Sequence, residues 1–219
     1  MKNNKSSENC GRCGKNARIE GAEHCKQCLC AVIEKRVKKE LAGARSNSNR
    51  GYYRLAVVCD NKSSLTCVAA AYIIKKVCNK VSRHGFGVEI ITSESTSQLQ
   101  ENGTVVLPKC ADDIATGFME KFISPKISPK PSQQPALQQL LKQTNLTNIF
   151  EAVTEKELML YAGIKSLKYA KTKGRAKESD LKQKIQKLQA RYPGIIEALA
   201  RSGKRIEVFA GNKLRNKQE

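Results

Sequence analysis

The residues from Tyr53 to Val81 are YRLAVVCDNKSSLTCVAAAYIIKKVCNKV, and this stretch decides the fold class. Its first seven residues, Tyr53–Cys59, are a short apolar run rich in β-branched side chains, which predicts a buried strand. A polar loop follows at Asp60–Ser64, and the mostly apolar run Leu65–Val81 is long enough for a helix. A strand that passes through a tight loop into a long helix is the first half of a βαβ unit, and such units build parallel sheets.

The sequence that follows repeats the same rhythm. Gly87–Thr92 and Thr104–Pro108 are rich in β-branched residues and predict a second and a third strand, and Ala111–Ile123 predicts a helix. We therefore expect an α/β fold in which helices flank a parallel sheet.

The C-terminal part of the chain is predicted to be mainly helical. Thr154 and Glu157 match the Thr-x-x-Glu capping box, which predicts a helix that continues to about residue 162. Leu181–Tyr192 has a helical apolar face, Pro193 suits the first turn of a last helix, and Gly203 suits the C-terminal cap of that helix.

Composition divides the chain into four parts. Residues 1–45 hold a cysteine-rich segment and a basic helix, and residues 51–123 hold the α/β core. Residues 124–135 contain four of the six prolines and predict an extended linker, and residues 136–219 complete the domain. The 219 residues suffice for one compact α/β domain with a small appendage.

The charge of the chain indicates a polyanionic partner. It carries 40 basic and 20 acidic residues, a formal net charge of +20. This excess favours nucleic acid, while the alternative is a basic face that is merely solvated. Because it has no apolar run of about 18 residues and its polar start lacks a secretory signal, we expect no membrane partner and a cytoplasmic location. Nine cysteines in such a chain favour reduced thiols and metal binding over disulfides.

The strongest motif is a doubled C-x-x-C pair at Cys10, Cys13, Cys25 and Cys28. Each pair aims two thiolates at one ion, so two pairs complete a tetrahedral, closed coordination sphere, which predicts structural zinc. Cys30 and His24 are close enough in sequence to be rival ligands, and an iron–sulfur cluster or a redox dithiol is the alternative.

Two further constellations suggest nucleotide contact and have simpler alternatives. The loop Asp60–Ser64 joins a strand to a helix N-terminus, where phosphates bind, but it has no glycine and Asp60 would repel a pyrophosphate. ATP is therefore not expected there, and the alternative is an ordinary turn. Asp112 and Asp113 open a predicted helix and would suit Mg²⁺ or a nucleotide, while the simpler alternative is that they complement the helix dipole.

Basic residues in two places are candidates for RNA contact. The predicted N-terminal helix presents Lys35, Arg36, Lys38 and Lys39 on one face. A second stretch, free of acidic residues, contains Lys165, Lys168, Lys171, Lys173, Arg175 and Lys177. Tyr161 and Tyr169 lie in or beside that stretch and could stack on unpaired bases, while the alternative is a solvated surface.

The order of these features resembles the PP-loop ATPase-like tRNA thiolation proteins, which make 2-thiouridine. First come the doubled cysteine pair and the basic helix, then the strand with its loop, and then the helix that begins ADDIA. Two further segments follow: Val153–Lys165, which reads VTEKELMLYAGIK, and Leu188–Ile206, which reads LQARYPGIIEALARSGKRI. Within that group the chain resembles the cytoplasmic tRNA 2-thiolation protein 2 family, over most of residues 10–206 outside the proline-rich stretch. The resemblance implies a chemistry in which ATP adenylates the C2 oxygen of the wobble uridine. Sulfur then comes from a thiocarboxylated ubiquitin-like carrier.

The chain departs from the catalytic members of that group. Those members carry Ser-Gly-Gly-Lys-Asp-Ser, and the six corresponding residues here are Cys59, Asp60, Asn61, Lys62, Ser63 and Ser64. Catalytic members also use cysteines in the middle and C-terminal half, where this chain has only Cys110. The pair Asp112 and Asp113 does match the catalytic pattern, which leaves ATP and magnesium contact open.

The resemblance therefore implies a non-catalytic subunit of a cytoplasmic complex that 2-thiolates the wobble uridine (U34) of tRNA. Its partners would be tRNA, a catalytic sister subunit and, indirectly, the ubiquitin-like sulfur carrier. The alternatives are an active tRNA-adenylating sulfurtransferase and a general RNA-binding zinc protein.

Overall fold

The computed structural model describes residues 9–15, 19, 22–45, 53–79, 86–92, 104–123, 145–170 and 180–215. The described strands are β1 Tyr53–Cys59, β2 Phe86–Thr92, β3 Thr104–Leu107 and β4 Asn145–Asn148. The described helices are α1 Lys26–Arg45, α2 Leu65–Asn79, α3 Ala111–Ile123, α4 Glu155–Ile164, α5 Asp180–Arg191 and α6 Ile195–Arg215. The proline-rich segment 124–135 lies outside the described residues.

The four described strands form one parallel sheet in the order β2-β1-β3-β4. Leu55 in the first strand pairs with Val88 on one side and with Thr104 on the other. After β1 the chain therefore forms β2 on one side of β1 and then crosses to form β3 on the other side of β1. Such a reversal opens a crevice at the carboxyl ends of the two strands, where α/β proteins bind ligands. The predicted α/β class, with a parallel sheet and flanking helices, is confirmed.

The helix that follows the cysteines is part of the main core. Leu29, Ile33, Val37 and Leu41 recur every four residues along α1, so they lie in one stripe, and all four are buried. They share one hydrophobic cluster with buried residues of β1, α2 and α4. The sequence pattern AVIEKRVKKELAGARS predicts a helix from Ala31, but the helix begins five residues earlier, at Lys26, because Leu29 already donates its backbone N–H to the carbonyl of Cys25.

A second, smaller cluster joins α3 to α5 and α6, through Ala111, Ala115, Ile185, Ile196 and Ala200. The sequence-based prediction that Gly203 caps the last helix is wrong, because α6 runs unbroken from Ile195 to Arg215. A Cβ at position 203 would lie 3.1 Å from the Phe118 side chain. The glycine therefore serves close packing between α3 and α6. Pro193 precedes the helix and is outside its first turn.

The strand β4 was not expected, since the region beyond the proline-rich segment was predicted to be helical. Its four residues, NLTN, contain one apolar side chain and give no strand pattern. Pairing with β3 along its whole length supplies the backbone hydrogen bonds instead. The capping box at Thr154 and Glu157 is confirmed, with both reciprocal hydrogen bonds present.

Candidate metal centre and sheet-edge site

The thiols of Cys10, Cys13, Cys25 and Cys28 lie together. All four Sγ atoms are within 4.8 Å of one another. The first pair lies on a turn that is closed by a hydrogen bond from the N–H of Gly14 to the carbonyl of Cys10. Gly14 has a φ of +69°, a conformation that favours glycine. The second pair brackets the start of α1. A tight turn and a helix N-terminus thus bring two cysteine pairs, separated in sequence, to one point.

This arrangement has the dimensions of a site for a single tetrahedral ion. Four sulfurs bound at about 2.3 Å stand about 3.8 Å apart along each edge of the tetrahedron, and the Sγ atoms of Cys13 and Cys25 are 3.9 Å apart. Backbone hydrogen bonds from Cys25 and Cys13 lower the pKa of Cys10, whereas hydrogen bonding to Cys25 raises the pKa of Cys28. Four thiolates this close repel one another, so a divalent cation is what would let them all ionise.

The two rival ligands do not join the cluster. Cys30 lies two residues after Cys28 on α1, and its side chain is 5% exposed within the hydrophobic core. Burial raises the pKa of its thiol, which disfavours the thiolate that binds metals. His24 is not among the four clustered metal-ligating groups.

The loop at the carboxyl end of β1 is closed by its own hydrogen bonds. The Asn61 side chain accepts the N–H of Ser63 at 2.8 Å, and the hydroxyl of Ser64 accepts the N–H of Cys67 at 3.3 Å. The second of these bonds caps the N-terminus of α2, so it occupies an N–H group that would otherwise be free for a phosphate. Asp60 and Lys62 are exposed.

Cys59 and Cys67 form a disulfide across this loop, with their Cα atoms 5.9 Å apart. The expectation that all thiols are reduced is therefore wrong for this pair. The last residue of β1 and the first turn of α2 face each other in the strand–loop–helix unit, and the two buried side chains meet there. The other seven cysteines are free.

The carboxylates of Asp112 and Asp113 are engaged with donors of the protein. Asp112 accepts the backbone N–H of Glu155 at 2.7 Å, and burial raises the pKa of this carboxyl. Asp113 accepts the N–H of Cys110 at 3.4 Å. Of the two predicted nucleotide or magnesium ligands, Asp112 thus joins the start of α3 to the start of α4, whereas the backbone bond of Asp113 stays at the start of α3.

A lysine that no motif indicated completes this cluster. Lys182, on the first turn of α5, is 6% exposed. Its ammonium lies 2.7 Å from a carboxylate oxygen of Glu155 and 3.4 Å from one of Asp113. The residues are 27 and 69 positions apart in sequence, so no local pattern could have brought them together.

The basic residues predicted to contact RNA differ in their surroundings. On α1, Lys35, Lys38 and Lys39 are exposed. Arg36 instead binds the protein, since its guanidinium lies 3.0 Å from the carboxylate of Glu157 and donates to the carbonyl of Ala152 at 2.8 Å.

The second basic stretch begins beside the closed loop. Lys168 is exposed and Lys165 is partly buried. Two residues further on, Ala170 donates its N–H to the carbonyl of Ser63 at 2.8 Å, which holds this stretch against the carboxyl edge of the sheet. The remaining predicted RNA contacts lie outside the described residues: Lys171, Lys173, Arg175 and Lys177.

Among the described residues, no helix combines the length and apolar character needed to cross a membrane.

Comparison with known proteins yields a likeness of fold. No protein-family model matches the sequence, and no curated protein matches it. Among solved structures, the chain resembles the U34-tRNA thiolase NcsA from Methanococcus maripaludis, determined with its [4Fe-4S] cluster. The two chains share 14% sequence identity, and the match covers 92% of this chain and 87% of that one with a TM-score of 0.66. This chain therefore shares the fold of that solved structure.

Proposed function

We propose that this chain is a non-catalytic, tRNA-binding subunit of a cytoplasmic machinery that thiolates wobble uridine. The observation that carries the proposal is the closed loop at residues 59–64. In a fold shared with a U34-tRNA thiolase, this loop stands at the crevice where a nucleotide would bind.

The loop and the two neighbouring aspartates both oppose ATP chemistry. The loop has no glycine to let the backbone approach a pyrophosphate, and Asp60 adds a negative charge at the same place. The side chains of Asn61 and Ser64 accept nearby backbone N–H groups, and a disulfide joins Cys59, at the start of the loop, to Cys67 on the first turn of α2. The aspartates that would hold magnesium are bonded to the protein. A chain with this loop would bind tRNA while a sister subunit performs adenylation and receives sulfur from a ubiquitin-like carrier.

Binding to tRNA is supported by charge and by its placement. The net charge of +20 supplies a strong attraction for phosphates. Lys35, Lys38 and Lys39 are exposed on one helix, and Lys168 is exposed near the sheet edge. Within the part of the chain that the structure describes, these side chains form no ion pair like that of Arg36, which favours their use in neutralising phosphates.

The metal in the cysteine cluster is proposed to be zinc with a structural role. A four-iron cluster places iron and sulfide ions between the cysteine sulfurs and so holds them further apart than a single ion does. The 4.8 Å limit on the Sγ separations favours the single ion. Four protein ligands leave no open position for a reacting water. Elemental analysis should find one zinc and no iron per chain, and iron with a visible cluster absorption would contradict this assignment.

The function is tested first by deletion of the gene and measurement of 2-thiouridine in tRNA on a mercury-containing gel. Loss of the retarded, thiolated band is expected, and unchanged thiolation would favour a general RNA-binding zinc protein. Purified chain should bind tRNA and co-purify with its catalytic sister. ATP–pyrophosphate exchange by the purified chain, abolished by Asp112→Ala, would instead establish an active adenylating sulfurtransferase.

A further inference from the structure

An ion cluster around the buried Lys182, at the carboxyl edge of the sheet, is not used by the proposed function. It lies where the N-termini of α3 and α4 meet, joined by a hydrogen bond from the N–H of Ala111 to the carbonyl of Val153. Three carboxylates gather here, those of Asp112, Asp113 and Glu155. Helix N-termini stabilise nearby negative charge, which explains why carboxylates are found at this place. The carboxylates nevertheless repel one another.

The cation in this cluster is part of the chain. The ammonium of Lys182 approaches two of the carboxylates, and its side chain is almost fully withdrawn from water. Burial of a lysine is costly unless the charge is paired, so these carboxylates are what makes the position tolerable for Lys182. The dependence is mutual, because the carboxylates in turn need a positive charge between them.

We propose that Lys182 takes the place of a divalent metal ion in this cluster. Magnesium in proteins takes oxygen ligands, usually one or two carboxylates with several waters, and this cluster offers such carboxylates. A lysine ammonium is a compact point charge and can fill the same position. Unlike a free ion, it belongs to α5, so its ion pairs also hold that helix against the starts of α3 and α4. In the native chain the Lys182 ammonium therefore neutralises the carboxylates, so magnesium does not bind there. In a chain without the ammonium, the carboxylates lack a counter-charge and can bind a divalent ion.

The test measures thermal unfolding as magnesium is varied, with Lys182→Ala as the main variant. Lys184→Ala is the matched control, since Lys184 lies on the same helix but its side chain is 66% exposed and pairs with Asp180 across one turn. Metal should be removed from the buffers with a resin, because a dissolved chelator would strip the cysteine site. Sodium chloride at equal ionic strength controls for screening.

The native chain and Lys184→Ala should show no magnesium response beyond that of salt. Lys182→Ala should unfold roughly 6–20 °C lower, the loss expected when one member of a buried ion pair is removed. Millimolar magnesium should restore a saturable part of this loss, and Asp113→Asn in the same background should abolish the restoration. Lys182→Arg, which keeps the charge, should unfold closer to the native chain and ignore magnesium.

Two results would overturn the proposal. One is a Lys182→Ala chain that responds to magnesium no more than the native chain does. The other is a native chain that itself binds magnesium in a manner lost on Asp113→Asn. If Lys182→Ala does not fold, Lys182→Gln keeps most of the side-chain volume without the charge and carries the same expectation. Binding of Mn²⁺ to that variant, followed by electron paramagnetic resonance, decides the question without a melting curve.

Discussion

The helix that follows the metal cysteines offers a direct test of how the molecule is held together. Residues 1–45 were predicted to be a unit apart from the α/β core. In the structure, Ile33 on α1 is 0% exposed and lies in the same cluster as buried residues of β1, α2 and α4. Replacement of Ile33 by alanine should therefore destabilise the α/β core and not only the metal module.

The size of this effect follows from the burial. Truncation of a fully buried isoleucine to alanine costs about 2–5 kcal/mol in the free energy of unfolding, from lost transfer energy and the cavity that remains. For a chain of this length that corresponds to a melting temperature roughly 4–20 °C lower. Lys35→Ala is the control, because Lys35 lies two residues away on the exposed face, where substitutions change the free energy by about 0.5 kcal/mol or less.

Two probes report on the two parts of the molecule. Circular dichroism follows the helices of the whole domain, and the visible absorption of cobalt in place of zinc follows the cysteine site. In the native chain and in Ile33→Ala the two transitions should coincide, with both shifted in the variant. The reasoning is refuted if Ile33→Ala moves only the cobalt transition and leaves the main helical transition at its native midpoint.

The remaining predictions concern the disulfide, the helix packing and the RNA contacts. Alkylation of the denatured, unreduced chain should label the seven free thiols, and reduction should add the two of Cys59 and Cys67; nine labels before reduction would contradict the bond. Gly203→Ala should destabilise the fold by about 1–3 kcal/mol in denaturant unfolding because its Cβ crowds Phe118, and truncation of Phe118 to alanine should remove most of the additional cost. Lys168→Ala should lower the slope of log K against log salt for tRNA binding by about 0.7–0.9, and an unchanged slope would exclude a phosphate contact.

The parts of this molecule that the sequence predicted are those with a local signal. The strand Tyr53–Cys59 and the helix Ala111–Ile123 were placed with their observed bounds, because apolar runs and a helical period mark them without reference to the rest of the chain. The cluster of four cysteines was equally visible, since the C-x-x-C spacing is itself a constraint on geometry.

The features that were missed depend on contacts between distant parts of the chain. Nothing in NLTN distinguishes a strand from a loop until β3 provides a partner for it. Gly203 has the sequence signature of a helix cap, yet the Phe118 ring determines its role. Lys182 resembles any other lysine of a solvated helix until the fold brings it to Glu155. The Cys59–Cys67 bond was missed for a different reason. The polar start of the chain, which lacks a secretory signal, was taken to imply reduced thiols at all nine cysteines.

The strand β4 also has a consequence for how copies of this protein meet. It is the last strand on its side of the described sheet, so one flank of its backbone could pair with another chain. It spans four residues, two of them asparagines, and the Asn148 side chain accepts N–H groups from Lys109 and Phe150 just beyond its end. A short, polar edge strand of this kind offers few backbone groups and little apolar surface for pairing with a strand of another molecule. At this edge of the described sheet, the shortness and polarity of β4 therefore disfavour strand pairing between molecules.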